Sequence, residues 1–305
     1  ELIFNFKLCA VHFAVDDNEV KMCTRLCGKA SWFLPFNKGN NDGAGNPPNP
    51  DGIKTDYLWK EILTKESLSN ILENYSQVVE KIDRKTNKVV GETMIFPRYH
   101  QLTVVRKLLA DTLRNEVGKR YLIQHSAGSG KSNSIAWLAY QLVKLEKSGK
   151  TFFDSIIVVT DRVNLDRQIR DTIRQFMQER SVVGWADDSS TLGSLLNAGK
   201  KIIITTIHKF PFILSSIGTE NKDKQFAIII DEAHSSQTGS LFAKMNMAVS
   251  GNVCDDEEDI EDKINKLIEG HRMVRNANYY AFTATPKNKT LEMFGDAIPQ
   301  PCLLY

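Results

Sequence analysis

The sequence has 305 residues, 42% of them hydrophobic, with a formal net charge of +2. That is enough apolar material for one large or two modest domains, and the near-balance of charge removes any global case for nucleic acid, so a DNA surface has to be local. The longest apolar runs, such as Phe226-Ala227-Ile228-Ile229-Ile230, are far too short for a membrane span, and no signal-peptide pattern opens the chain. A soluble, cytoplasmic protein is expected.

Along residues 1–36 apolar positions alternate (Val11, Phe13, Val15, then Val20, Met22), and the turn Asp16-Asp17-Asn18 between the two groups predicts a hairpin. Glu19-Val20-Lys21 has the Glu-x-Lys spacing of a metal-dependent nuclease. Its nearest aspartates sit in the adjoining turn rather than on a separate preceding strand, so it reads as a solvated hairpin tip. Five cysteines (Cys9, Cys23, Cys27, Cys254, Cys302) are scattered and odd in number, which predicts reduced thiols. Cys9-x2-His12 with Cys23-x3-Cys27 imitates a zinc site, but on strands Cys9 and His12 are expected to face opposite sides.

Residues 37–56, rich in asparagine, glycine and proline, predict a long irregular loop. Leu68, Ile71, Leu72, Tyr75, Val78, Val79 and Ile82 then recur at three and four residues, the spacing of a helix with one buried face. Residues 83–88 form a charged linker or a hairpin tip. Thereafter helices and strands alternate. Helices are expected at 99–115, from 133 to about 146, from about 164 to 180 and at 192–197, with a last one that opens within the acidic segment 254–262. Strands are expected at 121–124, 155–160, 201–206, 226–231 and 278–283. Near-continuous apolar strands between amphipathic helices imply an α/β domain whose parallel sheet is covered on both faces, with ligands at the carboxyl ends of the strands.

Two stretches carry chemistry. Tyr121-Leu122-Ile123-Gln124 runs into His125-Ser126-Ala127-Gly128-Ser129-Gly130-Lys131-Ser132 and a helix. A glycine-rich turn of backbone N–H groups, with a helix N-terminus aimed at the same spot, calls for an anion. This is the pattern of a phosphate-binding loop, with Ala127 to Ser132 around the nucleotide, Lys131 on the outer phosphates and the Ser132 hydroxyl on magnesium. The pattern asks for glycine where His125 stands. The second stretch, Ile228-Ile229-Ile230-Asp231-Glu232-Ala233-His234, places two carboxylates at the carboxyl end of a buried strand. Asp231 is suited to hold Mg2+ mainly through water, and Glu232 to orient or deprotonate an attacking water. ATP and Mg2+ are the expected cofactors.

Asp-Glu-Ala-His downstream of a phosphate loop resembles the superfamily 2 helicases and translocases, and the remaining motifs of that superfamily follow in order. The resemblance implies a RecA-like domain. Arg98-Tyr99-His100-Gln101 is similar to the adenine-recognising Q motif, in which Gln101 reads the base and Arg98 supports it; taken alone it is equally an ordinary helix start. Thr160-Asp161-Arg162 and Thr205-Thr206-Ile207-His208-Lys209-Phe210 fall where strand-contacting motifs fall, which makes Thr160, Arg162, Thr206, His208 and Lys209 the DNA-contact candidates. Phe282-Thr283-Ala284-Thr285-Pro286 resembles the motif that couples hydrolysis to movement, so Thr283, Ala284 and Thr285, with His234, are the coupling residues.

Within the superfamily the chain resembles the motor and restriction subunit of type I restriction-modification enzymes, on Phe96 to Gln101, Tyr121 to Ser132, Asp231-Glu232-Ala233-His234-Ser235-Ser236-Gln237 and Lys54-Thr55-Asp56-Tyr57-Leu58-Trp59-Lys60. Histidine at position 125 is common in that family. The resemblance implies that residues 1–90 are the end of a nuclease domain plus a helical connector, and residues 91–305 the first RecA-like lobe. It implies an ATP-dependent translocase of double-stranded DNA, in a bacterial or archaeal cytoplasm, working with modification (methylase) and specificity subunits. The first residue is Glu1 and the last are the apolar Leu303-Leu304-Tyr305, so a longer chain is expected, with the nuclease site and the arginine fingers of a second lobe elsewhere. Two alternatives stay open: another superfamily 2 helicase or translocase in repair or remodelling, and a nucleotide-gated DNA clamp without turnover.

Overall fold

The computed structural model describes residues 2–41, 43–83, 86, 88–126, 128–160, 172–173, 182–186, 188–209, 212–213, 216–217, 221–231 and 274–284. The chain divides into two compact units, residues 1–107 and 108–304. The expected helices at 164–180 and after 254 lie outside the described residues, apart from positions 172 and 173.

In the first unit β1 (His12–Val15) and β2 (Val20–Cys23) form the expected hairpin, with Phe13 opposite Met22, and β2 pairs in turn with the short β3 (Leu34–Pro35). Asp16 closes the turn, its Oδ1 accepting from the backbone N–H groups of Asn18 at 2.7 Å and Glu19 at 2.8 Å. Such an Asx turn explains why a charged tetrapeptide serves here. The long loop after β3 is more ordered than its composition suggests. Buried Asn46 donates to Asn18 O and accepts from the Lys38 N–H, and Asn37 Oδ1 accepts from the Val20 N–H. Phe13, Phe36, Tyr57, Phe96 and Tyr99 pack edge to face as an aromatic core.

Two expectations fail in this unit. The apolar pattern over 68–82 is not one helix: α1 spans Lys65–Asn74, capped by Thr64, and the rest enters β4 (Gln77–Ile82), which pairs with β5 (Val89–Ile95) around residues 83–88. Val78, Val79 and Ile82 are β-branched, and at a pairing edge their stiffness favours the strand. Among the residues of the predicted face whose burial is described, Ile71 and Tyr75 are fully buried, while Leu72 and Val78 are exposed. Nor do Cys9 and His12 face opposite sides. Cys9 lies outside β1, and its Sγ comes within 3.7 Å of His12 Nδ1. No group of three or more metal-binding side chains is assembled among the described residues.

Helix α2 (Tyr99–Arg114) has residues on both sides of the division between the units. The second unit is built on a six-stranded parallel sheet: β6 (Arg120–Gln124), β9 (Ser155–Thr160), β10 (Val183–Trp185), β11 (Ile202–Thr206), β12 (Phe226–Asp231) and β13 (Ala277–Thr283). Their spatial order is β10-β11-β9-β12-β13-β6. A short hairpin of β7 (Glu146–Lys147) and β8 (Lys150–Thr151) follows α3 (Lys131–Val143), where a longer helix was expected; Ser148 and Gly149, both at positive φ, make its turn. Every residue of β9, β12 and β13 is buried. This is why these strands read as unbroken apolar runs rather than as alternations.

The sheet is covered on both faces. On one, Ile157, Val159, Ile203, Ile228, Ile230 and Tyr279 meet Leu192 and Leu196 of α4 (Ser189–Asn197). Against the other packs α3, which contacts β9 and β12 and buries Trp137 completely. Asn278, fully buried in β13, accepts from the N–H groups of Gly118 and Lys119 and so fixes the entry to β6. No described helix is long and apolar enough to cross a membrane.

Candidate functional site

Parallel strands end together, and here β6, β13 and β12 place Gln124, Thr283 and Asp231 along one edge, with Thr283 opposite Gln124 and Asp231 opposite Phe282. The phosphate loop leaves β6 at this edge. Gly128 and Gly130 adopt φ of +76° and +85°, a backbone region open to glycine at little cost, and a Cβ at Gly128 would meet no atom within 4 Å. Gly130 also caps α3 without any side-chain hydrogen bond, and no acidic residue occupies the first turn. With no carboxylate of its own in that turn, the positive end of the helix dipole suits an external anion.

Lys131, the first residue of α3, reaches Asp231 at the end of β12, with Nζ 2.8 Å from Oδ1. The contact is one of charge more than of directed hydrogen bonding, because Oδ1 is buried and receives no hydrogen bond of good angle. A cation and a carboxylate held in a half-enclosed site, with an unsatisfied acceptor on the carboxylate, are the donor set that a phosphate and a divalent cation require. The residues present fit both groups.

Ser129 is 8% exposed, Ser132 follows Lys131 in the first turn of α3, and Thr283 is buried at the end of β13, next to half-buried Ala284. Ala127, Asp161, Arg162, Glu232, His234 and Thr285 lie outside the described residues.

Arg98 and Gln101 belong to the first unit. Gln101 is buried, and its Oε1 accepts from the Arg98 N–H at 2.9 Å, so its oxygen caps the start of α2. Arg98 has its pKa lowered by burial, and its buried Nε has no hydrogen-bond partner. Of the DNA-contact candidates, Thr160 is fully buried, with Oγ1 donating to Thr205 O at 3.4 Å. Thr206 and Lys209 are joined by a 3.2 Å hydrogen bond at the end of β11, and His208 lies in the 3-10 turn Ile207–Lys209.

The sequence pattern did not mark the supports behind this edge. Tyr280 of β13 stacks on Tyr121 of β6 at 4.9 Å and shares a 2.7 Å hydrogen bond with Thr112 of α2. Burial pushes the phenol of Tyr280 up to about 12 and raises that of Tyr121 as well. The signal available was a tyrosine in each of two adjacent strands, Tyr121 in β6 and Tyr280 in β13.

Residues 100–300 match the SWI2/SNF2 ATPase family. No curated protein matches the sequence. Among solved structures, a fragment assigned as an HsdR subunit of a type I restriction enzyme from Vibrio vulnificus YJ016 is 16% identical with a TM-score of 0.40, over 95% of this chain and 41% of that one. The UvsW helicase of bacteriophage T4 is 14% identical with a TM-score of 0.39, over 77% and 66% of the two chains. The Type ISP restriction-modification enzyme LlaGI, in complex with a DNA substrate mimic, is 16% identical with a TM-score of 0.38, over 63% and 18%. This chain thus spans well under half of the HsdR fragment, and the fold rests on its own strand order.

Proposed function

The chain belongs to the SWI2/SNF2 ATPase family, and we propose that it is the first motor lobe of a translocase that hydrolyses ATP to move along double-stranded DNA, in the restriction subunit of a type I restriction-modification enzyme. The observation that carries the ATPase part is the Lys131–Asp231 pair, which joins the phosphate loop to the acidic strand end across the intervening β13. The restriction context rests on the motif resemblance. In it, residues 1–90 are the end of a nuclease domain with its connector, and the partners are modification and specificity subunits. DNA contacts fall to Arg162, Thr206, His208 and Lys209, and mainly to phosphates, so they do not depend on sequence, while fully buried Thr160 supports that edge from within.

Bound MgATP supplies the scissile anhydride and the divalent charge that screens it. The chain's residues do the rest. Lys131 would hold the outer phosphates, and Asp231, mainly through water, with the Ser132 hydroxyl, would hold the magnesium. Glu232 orients or deprotonates the attacking water. Gln101 and Arg98 recognise adenine, and Thr283, Ala284, Thr285 and His234 couple turnover to movement. Arginine fingers from a second lobe contribute about 10³- to 10⁵-fold in rate. This lobe alone is therefore expected to bind ATP weakly and turn it over very slowly.

The test is Lys131→Ala in the intact assembly, assayed for ATP-driven displacement of a third strand from a DNA triplex. Loss of displacement is expected, and displacement at the wild-type rate would contradict the proposal.

A further inference from the structure

The phosphate loop holds one side chain that its motif does not ask for. His125 is 2% exposed, and its backbone and its ring engage different partners. Its backbone N–H donates to Thr283 O at 2.7 Å, extending the β6–β13 pairing one step beyond Gln124. Its Nδ1 lies 2.7 Å from Ser129 Oγ, four residues on, and its ring centroid is 5.9 Å from that of Phe282. Ser129 in turn donates its N–H to Ser126 O at 3.1 Å. One residue thus fastens the far side of the loop to the end of β13.

The glycines on either side of Ser129 show what this fastening does. Gly128 and Gly130 give the loop the φ values it needs, yet glycine loses more backbone freedom on ordering than any other residue. A ligand binding a loose loop has to supply that entropy, whereas a loop already held in shape spares it. The imidazole–hydroxyl contact is buried and short, and it ties together two positions four residues apart in the loop, whichever atom carries the proton.

We propose that His125 is a positioning residue that shapes the phosphate loop before nucleotide arrives, by holding Ser129, and that it makes the loop and the Thr283 end of β13 shift as one piece. The inference rests on the ATPase reading of the site. It gives the histidine in place of the motif's glycine a mechanical role.

The test compares His125→Ala, His125→Asn and His125→Gln in the intact protein. The asparagine amide occupies about the place of Nδ1 and the glutamine amide that of Nε2, so only His125→Asn keeps the contact with Ser129. Amide hydrogen exchange over residues 120–135 and 277–284 is followed without nucleotide, and binding of a fluorescent ATP analogue with magnesium is measured beside it. For His125→Ala and His125→Gln we expect about tenfold faster exchange at 126–132, faster exchange at 283–284, and about tenfold weaker binding. His125→Asn should stay near wild type, and Ser129→Ala should reproduce the alanine variant's exchange even if His125→Ala does not fold. Wild-type exchange in His125→Gln and Ser129→Ala, or equal impairment in the asparagine and glutamine variants, would overturn the proposal. Wild-type protein that binds no nucleotide would overturn the ATPase reading instead, while the exchange arm still decides the His125 contact.

Discussion

Removing Lys131 should destabilise the nucleotide-free protein, because the lysine's partner in that state is a buried carboxylate. Asp231 has a 2% exposed side chain and Lys131 a 21% exposed one, with 2.8 Å between the charged atoms. At an effective dielectric constant of about 20, two unit charges at that distance attract by about 6 kcal/mol. Partial exposure of Lys131 and the desolvation of both groups reduce this to a net coupling of about 2 kcal/mol. Lys131→Ala should therefore lower stability by about 2 kcal/mol or more, since it strands a charge, whereas Lys131→Ala with Asp231→Ala together should cost less than the sum of the two single changes. The assay is a double-mutant cycle on urea unfolding of the nucleotide-free protein, followed by near-ultraviolet circular dichroism. A coupling energy below about 0.3 kcal/mol would refute the claim that this pair holds the empty site together.

Other consequences follow from the same structure. Magnesium with ATP at a hundredfold excess over its dissociation constant should stabilise the wild-type protein by about 2.7 kcal/mol, and should leave Lys131→Ala unmoved in a thermal melt. Tyr280 has a folded pKa of about 12 because burial disfavours its phenolate. Its folded value is raised above the ordinary value near 10, so its contribution is complete below about pH 10 and is lost as pH climbs towards 12. Unfolding free energy measured across that range should fall less steeply for Tyr280→Phe than for wild type. Asn278→Ala strips two backbone donors of their acceptor and Tyr280 of a partner inside the core, and should cost about 3 kcal/mol in a denaturant titration. Thr64→Ala removes the cap of α1, in which Oγ1 accepts from the Ser67 N–H, at a cost of about 1 kcal/mol by the same titration.

What could be read in advance follows from how local the signal is. β9 and β12 matched their expected bounds because Ser155–Thr160 and Phe226–Asp231 are continuous apolar runs with clear breaks on either side. Both mistakes in the first unit are failures of period. Leu68 through Ile82 satisfies a helical spacing as far as Tyr75 and a strand spacing from Gln77, and only pairing with Val89–Ile95 decides between them. Cys9 and His12 were assigned to one strand, although the chain turns before β1 begins. β10 was missed because it has three residues and a central glycine. A Cβ at Gly184 would come within 2.9 Å of the end of the Leu195 side chain on α4, a close approach that favours glycine where a strand pattern discourages it.

The phosphate loop and Asp231 were legible as residue types, since anion and magnesium chemistry prescribes them. Their meeting was not. That β13, nearly the last described element, inserts between β6 and β12 is a matter of strand order, which no local pattern encodes. The Lys131–Asp231 contact and the seat of His125 against Thr283 both depend on that insertion.

The central claim is turnover at this site driven by duplex DNA, and phosphate release measured while ATP, magnesium and double-stranded DNA are titrated into the intact protein tests it most directly. The account predicts release that rises with DNA and vanishes in Lys131→Ala. Binding of both ligands with no phosphate released would contradict it, and would describe a clamp instead of a motor.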